Sequence, residues 1–148
     1  MPHPVARALT YVDTSVWCAY SFNEPESPAA VRWVVEAELD RTATALWTWT
    51  EFASAASIKM RLKGQTPGMV TRASQAFEGA VAMACRLETV ADDFLHAAKL
   101  CRTPALKLRA GDALHLAIAL RHNCRALASL DHDMSAAARK LGMHTIAF

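Results

Sequence analysis

The stretch AGDALHLAIALRHNCRALASLD, residues 110–131, decides the architecture. Its first half, Ala110–Arg121, is apolar nearly all round after one early acid, Asp112, the pattern of a buried helix. Its second half, Arg125–Leu130, is a short apolar run of strand length that ends in another acid, Asp131. A buried helix feeding a buried strand is half of a βαβ unit. The same alternation extends in both directions. Leu9–Val12 is a short apolar run closed by Asp13-Thr14-Ser15, and Thr42–Trp47, Cys85–Val90 and His144–Phe148 are further strand candidates. Between them lie helical patterns with start and stop signals. Ser27-Pro28 opens a helix running to about Leu39, and Thr48-x-x-Glu51 has the form of a capping box opening one that ends near Gly64. Thr66-Pro67 opens another to about Ala82, Ala91-Asp92-Asp93 one through Leu100, and Met134 the last, which stops at Gly142. No tight Asn-Gly or Asp-Gly hairpin joins two strands, so parallel pairing through right-handed crossovers is expected. The class is α/β, with a helical hairpin between the second and third strands and one domain over residues 1–148.

Composition sets the bounds. With 148 residues, 53% apolar and 20% charged, the chain has material for one real core. Thirty alanines bias it toward helix, and neither disorder nor a collagen-like repeat fits. Apolar runs such as Ala80–Cys85 and Leu116–Leu120 are far short of the roughly 18–20 residues that cross a bilayer. The opening Met-Pro-His-Pro-Val-Ala-Arg has no long apolar segment, so a cytoplasmic address is expected. Cys18, Cys85, Cys101 and Cys124 show no zinc-type spacing and read as reduced core thiols.

Four acids carry the chemistry: Asp13, Glu51, Asp112 and Asp131, each just after a strand or in the first turn of a helix. In a parallel sheet the strand carboxyl ends and the following helix amino ends share one edge, so all four should face one crevice. Each also has a structural use. Asp13 can cap a turn, Glu51 can complete the capping box with Thr48, Asp112 gains from the helix dipole, and Asp131 competes with Asp133 to cap the last helix. Glu51 shares a helix face with Ala55, Ile58 and Leu62 and so leans toward the core. Glu51 has no Lys or Arg placed nearby in sequence to compensate it, and clustered carboxylates oppose one another's ionisation. A hard divalent cation is the economical partner, and carboxylate-held metal chemistry on a phosphodiester is hydrolysis.

At these residues the chain resembles the PIN-domain family, and within it the VapC-type toxin ribonucleases of type II toxin–antitoxin pairs. The resemblance rests on Tyr11-Val-Asp13-Thr14-Ser15-Val-Trp17, Thr50-Glu51-Phe-Ala-Ser-Ala55, Gly111-Asp112-Ala-Leu-His115-Leu-Ala117, and Leu127-Ala-Ser129-Leu-Asp131 with Gly142-Met-His-Thr-Ile146 beyond it. It covers nearly the whole chain. It implies a five-stranded parallel sheet in the order 3-2-1-4-5 and an endoribonuclease dependent on Mg²⁺ or Mn²⁺, hydrolysing RNA with a metal-activated water. By the same resemblance Asp13 and Asp112 are the principal metal ligands, Glu51 holds metal or its waters, and Asp131 completes the acidic pocket, with Asp133 a competitor for that place. Ser15 and Ser129 are supporting hydroxyls. A homodimer and a small antitoxin on a separate chain are the implied partners.

Two other functions share this pattern. A PIN-fold module that binds RNA or protein without cutting is the alternative. A phosphoacceptor signalling domain would need an acidic pair after the first strand, where Asp13 stands alone. His115, three positions after Asp112, is expected to be a packed, hydrogen-bonded core histidine, and the other histidines have no assigned chemistry. Trp17, Trp33, Trp47 and Trp49 are expected in the core or a dimer interface, and Lys59, Arg61 and Lys63 on a solvated face. The formal charge, 16 basic against 14 acidic residues, looks uninformative at +2. Setting the four acids aside leaves ten against 16, an excess of +6 on the remaining surface that suits a polyanionic substrate.

Overall fold

The computed structural model describes residues 8–148; the reading of the first seven residues and of His3 lies outside them. Five short strands form one parallel sheet in the order β3-β2-β1-β4-β5: β1 Thr10–Val12, β2 Thr42–Ala45, β3 Cys85–Leu87, β4 Ala126–Ala128 and β5 His144–Thr145. Seven helices flank it among the described residues: α1 Thr14–Ser21, α2 Ser27–Glu36, α3 Trp47–Leu62, α4 Pro67–Val81, α5 Ala91–Cys101, α6 Ala110–Arg121 and α7 His132–Lys140. The expected α/β class, strand order and α3–α4 hairpin are all present. Central β1 pairs on both sides, Thr10 with Thr42 of β2 and with Ala126 of β4.

Strand alternation sorts the core into two layers. Tyr11 and Leu127 point to one face, where α5, α6 and α7 supply Leu100, Leu116 and Met134. Val12 and Ala128 point to the other, packing on Trp17, Phe52 and Phe77 from α1, α3 and α4. In that second layer Phe52 stacks on Phe77 with centroids 4.2 Å apart, and Phe22 stacks on Phe52 at 5.4 Å. Helix α6 is buried continuously from Ala113 to Ala119, as its all-round apolar pattern requires.

The differences from expectation are local. The strands are shorter than expected, and the expected turn at Asp13-Thr14-Ser15 is the start of α1. The Thr48–Glu51 capping box does not form. Helix α3 starts at Trp47, the Thr48 hydroxyl meets that of Thr44 at 2.8 Å, and Glu51 is bonded elsewhere. Ser27 does not cap α2. Its hydroxyl accepts from the Glu24 N–H and donates to the Phe22 carbonyl, and α2 ends at Glu36. Thr66 does cap α4, accepting from the Met69 N–H. On α3 the buried face is Thr48, Phe52 and Ala56, so Ile58 and Leu62 lie in solvent, Leu62 74% exposed. Lys59 is half-buried rather than solvated, paired with Glu24 and set over the Phe22 ring, while Arg61 and Lys63 are exposed.

All four cysteines are free, but only Cys18 and Cys124 are core thiols; Cys85 is half-buried and Cys101 exposed. Burial pushes the Cys18 thiol up to about 12 and Cys124 to about 11, which makes both poor nucleophiles. Of the tryptophans, Trp17 is fully buried and Trp33, Trp47 and Trp49 half-buried. No described helix is long and apolar enough to cross a membrane.

One ion pair locks α5 to α6. Asp93 is buried and accepts Arg121 Nε at 2.7 Å and Nη2 at 3.0 Å, and its Oδ2 also takes the Val90 N–H at 2.9 Å. Burial alone would raise the Asp93 pKa, but these donors hold it below the usual value. Its stabilising contribution is therefore full above about pH 4, the unfolded value, and fades as pH falls through the lower folded value. Asp93→Ala is expected to cost about 2–3 kcal/mol in urea unfolding near pH 7 and to narrow its gap to the parent chain below pH 4.

Candidate metal centre at the carboxyl edge of the sheet

The junctions β1–α1 and β4–α7 meet at the carboxyl edge, and Asp13 lies between them. It occupies the N-cap position of α1 in extended backbone, yet its carboxylate makes no capping bond. Instead Oδ2 accepts two hydroxyls, Ser15 Oγ at 2.7 Å and Ser129 Oγ at 2.8 Å. Those hydroxyls are themselves positioned by backbone donors, Leu130 N–H to Ser15 and Asp131 N–H to Ser129, each at 3.0 Å. A carboxylate 5% exposed and gripped on one oxygen presents the other in a fixed direction. That oxygen, Oδ1, lies 3.6 Å from His115 Nε2.

His115 is buried and hydrogen-bonded, as expected, but its partners belong to the acidic cluster. Nδ1 meets the Tyr11 hydroxyl at 2.7 Å, and Nε2 is hydrogen-bonded to Glu51 Oε1. A carboxylate only accepts, so the proton sits on Nε2. Glu51 Oε1 also accepts from Thr14 Oγ1 at 2.7 Å. Burial would lower the His115 pKa, but the bond to Glu51 and the charge of Asp13 raise it overall. The same bond lowers Glu51 against the effect of its own burial. The compensating group that sequence proximity did not offer to Glu51 is this imidazole, 64 residues away along the chain.

Asp112 has no such relief. Placed in the first turn of α6, it is pushed up to about 6 by burial, then by the charges of Asp13 and Asp131, with Glu51 adding a little and His115 opposing. Asp131 is exposed and caps α7, accepting the Met134 N–H at 2.9 Å, so α7 begins at His132 and not at Met134. Between the two competing acids, Asp131 caps the helix and acts on Asp112, whereas Asp133 is exposed in the first turn of α7.

Asp13, Glu51 and His115 each place a ligand atom within 4.8 Å of the others. With Nε2 engaged by Glu51, the remaining donors are carboxylate oxygens, and the negative charge around Asp112 is only partly offset by His115. An oxygen-rich, anionic site of this kind fits a hard divalent cation. Of the sequence candidates, Asp13 is bonded to Ser15 and Ser129 and Glu51 to His115, whereas Asp112 and Asp131 stand outside the close group of Asp13, Glu51 and His115; Thr14 and the place of His115 were not read from the sequence. The signal for His115 was its i+3 spacing from Asp112 on one helix face.

Close packing between α3 and α6 depends on Gly111. A Cβ there would stand 3.1 Å from Glu51 Oε2 and 3.3 Å from Trp47 Nε1. Gly111→Ala is therefore expected to move the Glu51 carboxylate, weakening divalent-cation binding measured by calorimetry, while helix propensity keeps the melting temperature near that of the parent.

The raised values of Asp112 and His115 act in one direction. Both groups bind protons more tightly folded than unfolded, so they favour the fold at low pH and withdraw support as pH rises through their folded values. Metal-free protein is expected to be more stable at pH 5.5 than at pH 7.5 by about 1–2 kcal/mol after allowance for solvent screening at half-buried Asp112, and a divalent cation is expected to close that gap.

Residues 10–140 match the family model described as PIN domain. No curated protein matches the chain. Among solved structures the fold is similar to FitAcB from Neisseria gonorrhoeae, at 16% identity over 94% of this chain and 97% of that one, TM-score 0.66. It is similar to VapC20 of Mycobacterium tuberculosis, a sarcin-ricin loop cleaving toxin, at 20% identity over 86% and 94%, TM-score 0.64. It is also similar to VapBC-1 from nontypeable Haemophilus influenzae, at 16% identity over 93% and 96%, TM-score 0.60.

Proposed function

The chain belongs to the PIN-domain family, and from that premise we propose that it is a metal-dependent endoribonuclease acting as the toxin of a toxin–antitoxin pair. The observation that carries this reading is the under-neutralised carboxylate cluster at the carboxyl edge of the sheet: Asp13 aimed by two serines, Glu51 held by Thr14 and His115, and Asp112 pushed up to about 6. VapC20, a sarcin-ricin loop cleaving toxin, has a similar fold and supports the choice of substrate class.

In this mechanism Asp13 and Asp112 are the principal metal ligands, with Glu51 and Asp131 completing the acidic pocket. Mg²⁺ or Mn²⁺ suits the oxygen donors. When bound, the cation supplies a nucleophile at neutral pH and neutralises charge developing on the phosphate. The chain's own residues do the positioning. Ser15 and Ser129 fix the direction of Asp13, and Thr14 with His115 keeps Glu51 ionised and stationary. Asp112, at the amino end of α6, is stabilised as an anion by the helix dipole once a cation relieves its neighbours.

The same reading places the protein in the cytoplasm as a homodimer, silenced by a small antitoxin on a separate chain. Two adjacent large apolar side chains in solvent on α5, Phe94 and Leu95, support an assembling surface.

Purified protein is expected to cleave RNA with Mg²⁺ or Mn²⁺ and to stop with chelator. Asp13→Asn and Asp112→Asn should each lower kcat by roughly 10²–10³-fold, and Ser129→Ala by about 10–100-fold, as for a group that orients a ligand. Unchanged cleavage by Asp13→Asn or Asp112→Asn would exclude the mechanism.

A further inference from the structure

A cavity of about 460 Å³ opens beside the acidic cluster, between the start of α2, the β4–α7 junction, α7 and the segment after β5. Its wall includes Ser129, the residue whose hydroxyl grips Asp13, so cavity and cluster share one side chain. The size is that of a small-ligand site. Its lining is mixed in a particular way. Arg139 spends one N–H on Thr145 Oγ1 at 3.0 Å and, among the described residues, has no carboxylate partner, which leaves its charge and most of its donors unused. Phe148 is held edge-on by Trp33, centroids 5.7 Å apart, yet stays 41% exposed, and Ile146 adds apolar surface next to it. Glu26 on the α2 side has no ion pair among the described residues and offers acceptor oxygens.

An unpaired guanidinium, a fixed and partly exposed aromatic ring and an isolated acceptor in one concave site match the needs of a single unstacked nucleotide: phosphate, base face, and ribose hydroxyl or base amino group. We propose that this cavity is a nucleotide subsite, receiving the residue of a single-stranded RNA that flanks the phosphodiester lying at Asp13. Arg139 holds its phosphate, Phe148 carries its base and Glu26 accepts from its ribose or base donors. The proposal rests on the nuclease reading for its substrate. It adds where the strand leaves the acidic cluster, toward α7 and the β5 edge.

The test compares Arg139→Gln and Phe148→Ala with the parent chain in Mg²⁺, using a short single-stranded oligoribonucleotide. Cleavage gives kcat and KM, and fluorescence anisotropy in an Asp13→Asn background gives binding. Each variant is expected to raise KM about five- to tenfold and to weaken binding by a similar factor, with kcat within about twofold and the melting temperature unchanged. Phe148→Trp should restore binding and Phe148→Leu should not, and the unchanged melting temperature of each variant separates a lost base contact from a lost contact with Trp33. If the parent cleaves and both variants keep its KM, the subsite is wrong and the nuclease reading stands. If the parent cleaves nothing but binding falls in both variants, the subsite stands and the nuclease reading fails. Absence of any binding by the parent overturns the subsite.

Discussion

The hydrogen bond between His115 and Glu51 is the interaction on which the site depends. It joins α6 to α3 across the amino ends of both helices, and through Tyr11 and Thr14 it reaches β1 and α1 as well. Burying one carboxylate at that edge is costly, and burying several without compensation would drive them to the neutral form. An imidazole inside a helix that is buried from Ala113 to Ala119 supplies one N–H donor and directs it at Glu51. The rest of the cluster is left in charge deficit, and Asp112 shows the consequence.

This division of labour separates the site into a rigid half and a responsive half. Asp13 and Glu51 have each had one oxygen taken by fixed donors, so their remaining oxygens are aimed before any ligand arrives. Preorganisation of that kind is where electrostatic catalysis gains most. Asp112 is the group whose ionisation burial and the neighbouring carboxylates oppose. The two-layer core holds these pieces in register. The stacked rings of Phe22, Phe52 and Phe77 fix α3 from one side of the sheet, and the Arg121–Asp93 pair fixes α6 from the other.

Much of this was legible in the sequence, because the signals are local. Short apolar runs separated by helical periodicity give the parallel α/β order, and an acid just past a strand falls at the ligand-binding edge by topology alone. Local signals also misled where two local explanations competed. Thr48-x-x-Glu51 satisfies the capping-box pattern, but Thr48 found a hydroxyl on Thr44 and Glu51 found His115, so tertiary partners displaced the local ones. Ile58 and Leu62 share Glu51's helix face by spacing, yet the face that packs into the core is the neighbouring one of Thr48, Phe52 and Ala56.

The sequence by itself determined the class and, through family resemblance, the strand order, and it put forward the four acids and two serines as candidates. Tertiary structure alone decided which charges meet. Ser129 reaches Asp13 across 116 positions, His115 reaches Glu51 across 64 and Thr14 across 101. Periodicity reports the environment along one element, whereas compensation of a charge depends on distance in space. That is why Asp112 as the unrelieved acid and His115 as a member of the cluster became visible only when β1, α3 and α6 were brought to one edge.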